Sequence, residues 1–371
     1  MKIRRLTEKL KQKLVFCDEF RTLFLILLLI FGVSIYGQYS AFNGEWCRPL
    51  CDHLLRIGFS FVLMLLIYLV DSKFWINYAY FFYLLIFCCL IIVEILGVVK
   101  LGAQRWINLY FFTLQPSELM KIALILALVR YYSDASQFEL QILRTHFTPA
   151  TLVLLPFLLI LRQPDLGTSL ILFFVGGGII FLAEFPMGAF KIICTTGILL
   201  CPFSWFFLHS YQKNRILNFI DPDRDPLGTG YHILQSKIAI GSGGLWGKGF
   251  LNGTQSKLDF LPEKNTDFIF TTLAEELGFV GGIFIIFLLV SLVIYFLWAS
   301  MICKKFPAKM MCYGIGLMLF FHTFINIAMV MGIVPIVGIP LPFISYGGTS
   351  MITFSICCGL IMSALRGKRG K

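Results

Sequence analysis

The stretch FIFTTLAEELGFVGGIFIIFLLVSLVIYFLWA, residues 268–299, decides the fold. Its charged residues are Glu275 and Glu276, and residues 281–299 carry no charge. About 20 apolar residues in a helix cross the hydrocarbon core of a bilayer, so this stretch predicts a transmembrane helix. The rest of the chain has the same character: of 371 residues, 58% are hydrophobic and 14% are charged, with a mean hydropathy of +0.83. This composition excludes a soluble globular protein.

Mostly apolar runs of similar length recur along the chain, separated by charges, Pro or Gly. They predict an all-α polytopic membrane protein with about ten transmembrane helices. The transmembrane domain covers residues 22–365, with basic termini at 1–21 and 366–371 and a long polar loop at about 211–267 between helices 7 and 8. The predicted spans are residues 22–38, 54–70, 75–93, 115–128, 149–161, 168–182, 190–209, 268–299, 310–331 and 349–365.

An even number of spans places both termini on one side, and their Lys and Arg residues predict that this side is the cytoplasm. The loop at 211–267 then lies on the outer face. The net charge of +11 is divided among short loops, so it is a topology signal and argues against a nucleic-acid-binding surface. The segment before Thr22 lacks a short apolar core followed by a cleavage site, which predicts a retained first helix.

Most of the eleven cysteines lie inside apolar spans. Cys behaves there as a small hydrophobe, so metal ligation by cysteine is not expected. Cys47 and Cys51 are the exception, because CRPLC falls in a loop predicted on the outer face, where a disulfide is chemically allowed. The sequence leaves open whether these two residues are bonded.

Ionisable residues mark the fourth predicted helix and the connection between the fifth and sixth. Glu118 and Lys121 lie one helical turn apart, just after Gln115. Because charges within a membrane are costly, such a pair indicates a functional site, although a purely structural ion pair is the alternative. Asp165 lies in a tight turn and is a further candidate, with a helix cap as its alternative.

Two segments predicted on the outer face carry basic and aromatic residues. Residues 102–114 include Arg105 and Trp106, a composition suited to the headgroup region beside a lipid substrate or to a simple interfacial anchor. Lys237 precedes a glycine-rich run at 238–249, which permits either close approach of backbone amides to a ligand or tight turns. Each segment is therefore a candidate binding region with a structural alternative.

Asp267 lies where the polar loop gives way to a hydrophobic helix. A carboxylate in this position could take a proton from a substrate hydroxyl or merely complement the helix dipole. Glu275 and Glu276 follow about two turns deeper, and their like charges predict that one of them is protonated or paired. We expect these two glutamates to support the site from below.

These motifs, in this order, resemble the SEDS family of RodA and FtsW. The resemblance runs from the first predicted span to the last. KGFLNGTQ at 248–255 is more similar to the family's elongation member than to its division member. The motifs that carry the resemblance are GAQRW at 102–106, QPSE at 115–118, QPDLGTS at 163–169, IAIGSGGLWGKG at 238–249, LPEKNTDFIF at 261–270, AEELG at 274–278 and GIPLPFISYGGTS at 338–350.

The resemblance implies ten spans, a cavity open to the outer leaflet, and polymerisation of lipid II into glycan strands at the cytoplasmic (inner) membrane. It implies as partners a class B penicillin-binding protein, which supplies transpeptidation, and membrane proteins of the elongation complex, but no nucleic acid. It transfers a catalytic role to Asp267. The supporting residues in its motifs are Glu118, Lys121, Asp165, Gln115, Glu275, Glu276, Ser345 and Tyr346.

The implied reaction joins an acceptor sugar hydroxyl to the anomeric carbon of a second lipid-linked sugar and expels polyprenyl diphosphate. We expect Asp267 to act as the general base, and the cations Arg105, Lys121 and Lys237 to hold the diphosphate, with Trp106 at the lipid interface. A divalent cation, Mg or Mn, could share that load, and no organic cofactor is expected. A lipid II flippase and a non-enzymatic scaffold of the elongation complex are the alternative functions.

Overall fold

The computed structural model describes residues 2–100, 103–108, 113–225, 228–258, 260–261 and 263–366. Gly102, Pro262 and residues 367–371, which belong to predictions made above, lie outside the described residues. Fifteen α-helices form within the described part of the chain: α1 (Lys2–Ala41), α2 (Arg48–Leu69), α3 (Ser72–Asn77), α4 (Ala79–Leu96), α5 (Pro116–Asp134), α6 (Gln137–Leu140), α7 (Phe147–Arg162), α8 (Leu166–Leu182), α9 (Met187–Phe207), α10 (Ser210–Ile220), α11 (Thr229–Ser242), α12 (Thr254–Lys257), α13 (Ile269–Ile302), α14 (Phe306–Val330) and α15 (Gly348–Arg366).

The polytopic helical membrane fold predicted from hydropathy is confirmed. Each of the ten predicted spans overlaps one long helix, namely α1, α2, α4, α5, α7, α8, α9, α13, α14 or α15. Among the described residues, seven helical segments are long and apolar enough to cross a membrane, and α8 and the first part of α9 are apolar but shorter. The chain is therefore a multi-pass membrane protein.

The central helix of the bundle is α5. It packs against α4, α7, α8, α14 and α15, and nearly all of its residues from Pro116 to Val129 are buried. Its polar residues lower its hydropathy, and such residues are tolerated at membrane depth because neighbouring helices enclose them. Around it, α2 and α15 approach closely, since a Cβ added at Gly359 would lie 2.8 Å from the backbone oxygen of Met64.

A small antiparallel sheet follows α4, and the all-α prediction did not include it. Its strands are β1 (Val98–Lys100), β2 (Ala103–Asn108) and β3 (Thr113–Leu114), in the order β1-β2-β3. Val98 pairs with Trp106 in one ladder and Ile107 pairs with Leu114 in the other. The sheet therefore holds Arg105 and Trp106 beside the first turn of α5.

The long helix α13 is broken at Gly278, whose φ of 69° and ψ of −166° are not helical. The sequence prediction of one continuous span at 268–299 was wrong at this point. The chain at 244–249 enters the break and replaces the missing helical bonds, as polar backbone within a membrane protein requires. The replacement bonds run from the amides of Lys248, Gly249, Phe279 and Val280 to the oxygens of Glu275, Glu276, Gly244 and Leu245, respectively.

The piece of α13 before the break, residues 269–277, is called the rim helix. At its start, the Ser236 hydroxyl contacts Thr271 Oγ1 at 2.9 Å and donates to the oxygen of Val330, the last residue of α14, at 2.7 Å. Near its end, the Ser40 hydroxyl at the end of α1 donates to Glu276. The rim helix thus runs from the end of α14 to the end of α1, and Asp267 lies just before its first turn.

Candidate active site

Asp267 is fixed through its backbone by two neighbouring elements. The Nδ2 amide of Asn326, on α14, donates to the oxygen of Asp267 at 3.0 Å and to the oxygen of Ile339 at 2.6 Å. The hydroxyl of Ser345 donates to the oxygen of the preceding residue, Thr266, at 2.5 Å. The position of Asp267 is therefore set by α14 and by the connection between α14 and α15.

The side chain of Asp267 is half-buried, and its pKa is shifted. Burial, followed by the nearby Glu263 carboxylate, raises the pKa of Asp267 to about 7, although Arg105 and Arg215 oppose the shift. A Cβ added at Gly338, where φ is 72°, would lie 3.2 Å from Oδ2 of Asp267, so glycine keeps this side of the carboxyl group open. At neutral pH the group can therefore both accept and return a proton.

Arg105 is anchored at the turn between α7 and α8. Its Nε donates to the oxygen of Gln163 at 3.1 Å, its Nη2 donates to the oxygen of Pro164, and its Nη1 lies 3.7 Å from Oδ1 of Asp165. Because these bonds fix the guanidinium plane, Arg105 presents a positive charge that acts on Asp267. The structure thus brings Arg105 and Asp165 to the predicted base.

Asp165 combines the two roles that the sequence left as alternatives. Its carboxylate caps α8 by accepting from the backbone amide of Thr168 at 3.3 Å. It also accepts from Nε2 of Gln115 at 3.0 Å and from the Ser117 hydroxyl at 3.4 Å. Asp165 therefore joins α8, the start of α5 and Arg105 in one polar cluster.

Arg215, on α10, is a site residue that the sequence analysis missed. Its guanidinium lies 5.8 Å from the ring centroid of Tyr211, and its Nη1 donates to the oxygen of Val337 at 3.4 Å. Burial and the neighbouring Arg105 charge lower the pKa of Arg215. Two guanidinium groups thus lie close to Asp267, where they can hold an anion. A lone Arg within a polar loop gave no local signal of this role.

A groove of about 680 Å³ lies between α2, the sheet, the start of α5 and α15, and we call it the α2–α15 groove. Its wall toward the hydrocarbon region is apolar, with Leu55, Phe59, Leu63, Ile352 and Ile356. Its polar part includes the predicted residues Trp106, Gln115, Glu118 and Tyr346, together with Arg56, Gly348 and Ser350. Arg56, which the sequence analysis also missed, stacks over the Tyr346 ring at 4.4 Å.

Tyr346 connects this groove to the segment that carries Asp267. Its backbone amide donates to the oxygen of Asn265 at 2.8 Å. Gln38 Nε2, from α1, donates to the same oxygen and to the oxygen of Ile344, each at 3.0 Å. The connection between α14 and α15 is therefore a wall with Asp267 on one side and the groove on the other.

Glu118 and Lys121 form a buried ion pair with a third member, His322 of α14. The Nζ of Lys121 lies 2.6 Å from Oε1 of Glu118 and 2.5 Å from Nε2 of His322. Lys121 is 0% exposed, so it does not reach a bound diphosphate, and the prediction that it holds the leaving group was wrong. The ammonium group instead neutralises Glu118 between α5 and α14, whereas Glu118 itself lines the groove.

The structure places Lys237 away from the predicted diphosphate site. It is exposed and lies over Gly332 at the end of α14, where an added Cβ would lie 2.8 Å from its Nζ. Its charge therefore faces the end of α14, where helix carbonyl groups favour a cation. Lys237 is not among the described residues that line the groove.

Glu275 and Glu276 do not support Asp267 from below. Glu275 Oε1 accepts from Lys248 Nζ at 2.7 Å and from the backbone amide of Gln255 at 3.0 Å, so this glutamate is paired. Glu276 accepts from Ser40 on α1. The two glutamates fasten the loop at 248–256 and α1 to the rim helix, because the side chains of adjacent residues leave the helix in different directions.

The arrangement of the outer-face cysteines and of possible metal ligands bears on two predictions made from the sequence. Cys47 and Cys51 are free thiols at the start of α2. No group of three or more His, Cys, Asp or Glu side chains able to hold a metal ion occurs among the residues that the structure describes. The charges around Asp267 are instead those of two arginines and two acidic residues, Glu263 and Asp165.

Comparison with known proteins gives consistent matches over nearly the whole chain. The chain is 39% identical over 344 residues to the peptidoglycan glycosyltransferase MrdB of Escherichia coli K12, covering 92% of each protein. It is 34% identical over 359 residues to stage V sporulation protein E of Bacillus subtilis 168, covering 94% of this chain and 97% of that protein.

A solved structure shares the architecture along its full length. It is a chain of a peptidoglycan synthase complex, described as showing structural coordination of polymerization and crosslinking, with a TM-score of 0.82, 27% identity, and coverage of 94% of this chain and 98% of that chain. A family model for the cell cycle proteins FtsW, RodA and SpoVE matches residues 13–370. The chain therefore belongs to the SEDS family of FtsW and RodA.

Proposed function

We propose that this chain is a peptidoglycan glycosyltransferase that polymerises lipid II into glycan strands, with Asp267 as the general base. The observation that carries the proposal is the half-buried carboxyl group of Asp267, whose pKa is raised to about 7 beside two arginines. A general base works best when its pKa lies near the operating pH. Relatives named peptidoglycan glycosyltransferase, and the likeness to a peptidoglycan synthase complex, support the same conclusion.

In the proposed reaction, Asp267 takes the proton of the acceptor sugar hydroxyl. The oxygen freed of its proton forms a bond to the anomeric carbon of the donor sugar, and the bond between that carbon and the diphosphate oxygen breaks. The electron pair leaves with the polyprenyl diphosphate. Asn326 bonds the backbone oxygen of Asp267, and Ser345 bonds the backbone oxygen of Thr266. Because the backbone is held in this way, the carboxyl group can be aligned with the hydroxyl without a rearrangement of the chain.

Arg105 and Arg215 stabilise the charge that develops on the leaving diphosphate. Arg105 is held in a fixed orientation by Gln163 and Asp165, and Arg215 is held by Tyr211 and Val337. Guanidinium groups can bind phosphate oxygens through two parallel hydrogen bonds. These residues replace Lys121 and Lys237 in the assignment made from the sequence.

We further propose that the chain works at the cytoplasmic membrane with both termini in the cytoplasm and Asp267 on the outer face. Its partners would be a class B penicillin-binding protein and other membrane proteins of the elongation complex. The basic termini and the likeness to a synthase complex that coordinates polymerization and crosslinking support this arrangement. The 39% identity to MrdB supports a role in elongation.

A divalent cation, Mg or Mn, would arrive with the substrate. Among the described residues, no group of three or more His, Cys, Asp or Glu side chains is arranged to hold a metal ion, and Mg²⁺ is commonly bound by substrate phosphates with one or two carboxylates. Asp267 and Glu263 are the carboxylates in position to share it. No step of the proposed reaction depends on it.

The test is polymerisation of purified lipid II in proteoliposomes, with and without a penicillin-binding partner whose transpeptidase is blocked. Wild type should form glycan strands and Asp267→Asn should not, whereas Asp134→Asn, the same change at the last residue of α5, should retain activity. Full activity of a folded Asp267→Asn protein would refute the base assignment. Lipid II that crosses the bilayer without being polymerised would support the flippase. If lipid II is neither polymerised nor transported under any condition, the result would support the scaffold.

A further inference from the structure

A fully buried histidine lies in the second turn of α2. His53 is 0% exposed, and it is not among the described residues that line the α2–α15 groove. Ionisable side chains inside membrane helices are costly and are retained mainly where they serve a function. The contacts that His53 makes therefore indicate what it does.

His53 bonds a serine of α1 that in turn holds the connection between α14 and α15. Its Nε2 lies 2.8 Å from Oγ of Ser34, and the Ser34 hydroxyl donates to the backbone oxygen of Ile344 at 3.2 Å. One turn further along α1, Gln38 donates to the same oxygen at 3.0 Å. The oxygen of Ile344 is therefore held by two side chains of α1, and one of these is oriented by α2.

The bond to Ile344 determines which nitrogen of His53 carries the proton. A hydroxyl has one proton and a carbonyl oxygen can only accept, so the proton of Ser34 points to Ile344. The bond between His53 and Ser34 is then donated by the imidazole, which places the proton on Nε2 and leaves Nδ1 as an acceptor. Nδ1 is buried and has no partner among the described residues. The neutral imidazole therefore serves as a donor to Ser34.

The ring of His53 also packs against a second residue of the same connection. Its centroid lies 6.0 Å from that of Tyr346, with an angle of 30° between the ring planes. Arg56, one turn further along α2, contacts the same tyrosine ring at 4.4 Å. His53 thus braces the connection at two points, at Ile344 through Ser34 and at Tyr346 through its own ring.

The braced connection holds the backbone that precedes Asp267. The Ser345 hydroxyl donates to the oxygen of Thr266 at 2.5 Å, and the amide of Tyr346 donates to the oxygen of Asn265 at 2.8 Å. A shift of the connection would therefore carry the catalytic carboxyl group with it. A displacement of about 1 Å at a reacting group can lower a rate roughly a hundred-fold.

We propose that His53 is a positioning residue for the polymerisation reaction, which acts through Ser34 and the connection between α14 and α15 to hold Asp267 in line with the acceptor hydroxyl. This role rests on the proposed function for the identity of the reaction. The bonds that join His53 to the connection do not depend on that function. The position requires a neutral side chain with a donor in the place of Nε2, which glutamine supplies and phenylalanine does not.

The first test is steady-state polymerisation of lipid II by His53→Phe and His53→Gln. Phenylalanine keeps a ring beside Tyr346 but removes the donor, so kcat should fall roughly ten- to a hundred-fold with little change in KM. Glutamine keeps a donor and should restore most of the wild-type kcat. Unchanged kcat in a folded His53→Phe protein would overturn the positioning role. So would a rise in KM alone, or a His53→Gln protein as impaired as His53→Phe.

Ser34→Ala is the second variant, because it breaks the same chain of bonds by removing only a hydroxyl group. It should lower kcat by the same factor as His53→Phe, and the double variant should lose no more than either single change. Additive losses would overturn the action of His53 through Ser34. Ser60→Ala is the matched control, because it removes a buried hydroxyl of α2 that has no partner among the described residues, and it should leave kcat unchanged.

Hydrogen–deuterium exchange of the folded proteins in detergent separates this role from the proposed function. The amide of Tyr346, bonded to Asn265, should exchange faster in His53→Phe and Ser34→Ala than in wild type, but not in His53→Gln or Ser60→Ala. Unchanged exchange in His53→Phe would overturn the brace. A wild-type protein that does not polymerise lipid II would refute the proposed function and with it the positioning role, whereas faster exchange in His53→Phe would still establish the brace.

Discussion

The side-chain amide of Asn326 donates to the backbone oxygen of Asp267 at 3.0 Å and so ties the start of the rim helix to α14. Because the bond is to the backbone, it fixes the position of the carboxyl group without changing its charge. A displacement of about 1 Å at a reacting group can lower a rate roughly a hundred-fold. Asn326 is therefore a positioning residue in the proposed reaction.

We predict that Asn326→Ala lowers kcat about ten- to a hundred-fold while KM for lipid II changes little. The reason is that the amide does not line the groove but holds the catalytic carboxyl group in place. Steady-state polymerisation measures both constants. Ser291→Ala, which removes a hydroxyl bonded within its own helix, is the control. A rise in KM with unchanged kcat would assign Asn326 to substrate binding instead.

The pH dependence of polymerisation should follow the ionisation of Asp267. The pKa of this carboxyl group is raised to about 7, and only the ionised form accepts a proton. Log(kcat/KM), which reports ionisations of the free enzyme, should therefore rise with pH and level off above about 7. Glu263→Gln removes the carboxylate that raises this pKa and should move the acid limb to lower pH. Arg215→Gln should move it to higher pH. A flat profile between pH 5 and 8 would exclude Asp267 as the base.

The same carboxyl group should lower the stability of the folded protein as pH rises. Its pKa is higher in the folded protein, about 7, than the ordinary value of 3.8. The folded state thus gains from protonation at low pH, and this gain is lost as the pH rises through about 7. Asp267→Asn should therefore raise Tm relative to wild type more at pH 8 than at pH 5. A Tm difference that is the same at both values would contradict the shifted pKa.

The loop inserted at the α13 break requires glycine. A Cβ at Gly247, where φ is 79°, would lie 2.0 Å from the oxygen of Glu276. Gly247→Ala should destabilise the protein by on the order of 1–3 kcal/mol and expose the loop to limited proteolysis. Gly241→Ala is the matched control, because an added Cβ there meets nothing within 4 Å. Equal proteolysis of the two variants would mean that the loop is not held in the break.

The buried group formed by Glu118, Lys121 and His322 should show strongly non-additive energetics. Lys121→Met leaves Glu118 as an uncompensated buried charge and should cost about 3–5 kcal/mol. The double change Glu118→Gln, Lys121→Met should recover most of that loss, because no charge then remains buried. Thermal unfolding of the four proteins in one detergent measures the coupling. Additive effects would show that the two residues do not act as a pair.

The apolar runs predicted the architecture because membrane hydropathy depends on average composition. Hydropathy does not detect backbone hydrogen bonds between segments that are distant in the sequence. Gly278 lies in a run that hydropathy assigns to one helix, and only the loop at 244–249 explains why the helix breaks there. The sheet was missed for a similar reason, since its short strands are stabilised by pairing and not by their own composition.

The candidate site was predictable where a motif placed a charged residue beside an apolar span. Asp267 lies at the start of a hydrophobic helix, and Asp165 lies in a tight turn between two spans. The site was not predictable where the partners are distant in sequence. Arg215 and Arg56 are isolated basic residues, and only the packing of α10 and α2 places Arg215 beside Asp267 and Arg56 in the α2–α15 groove. Lys237 and Lys121 have the same charge but end at a helix terminus and in a buried ion pair, respectively.

The interruption at Gly278 separates the part of α13 that spans the membrane from the part that positions the carboxyl group. Residues 269–277 are bonded to α1, to α11 and to the inserted loop. The amides of Phe279 and Val280, on the other side of the break, are bonded to the same loop. A change at residues 244–249 would therefore reach the carboxyl group of Asp267 and the spanning helix together, because one loop joins the two pieces.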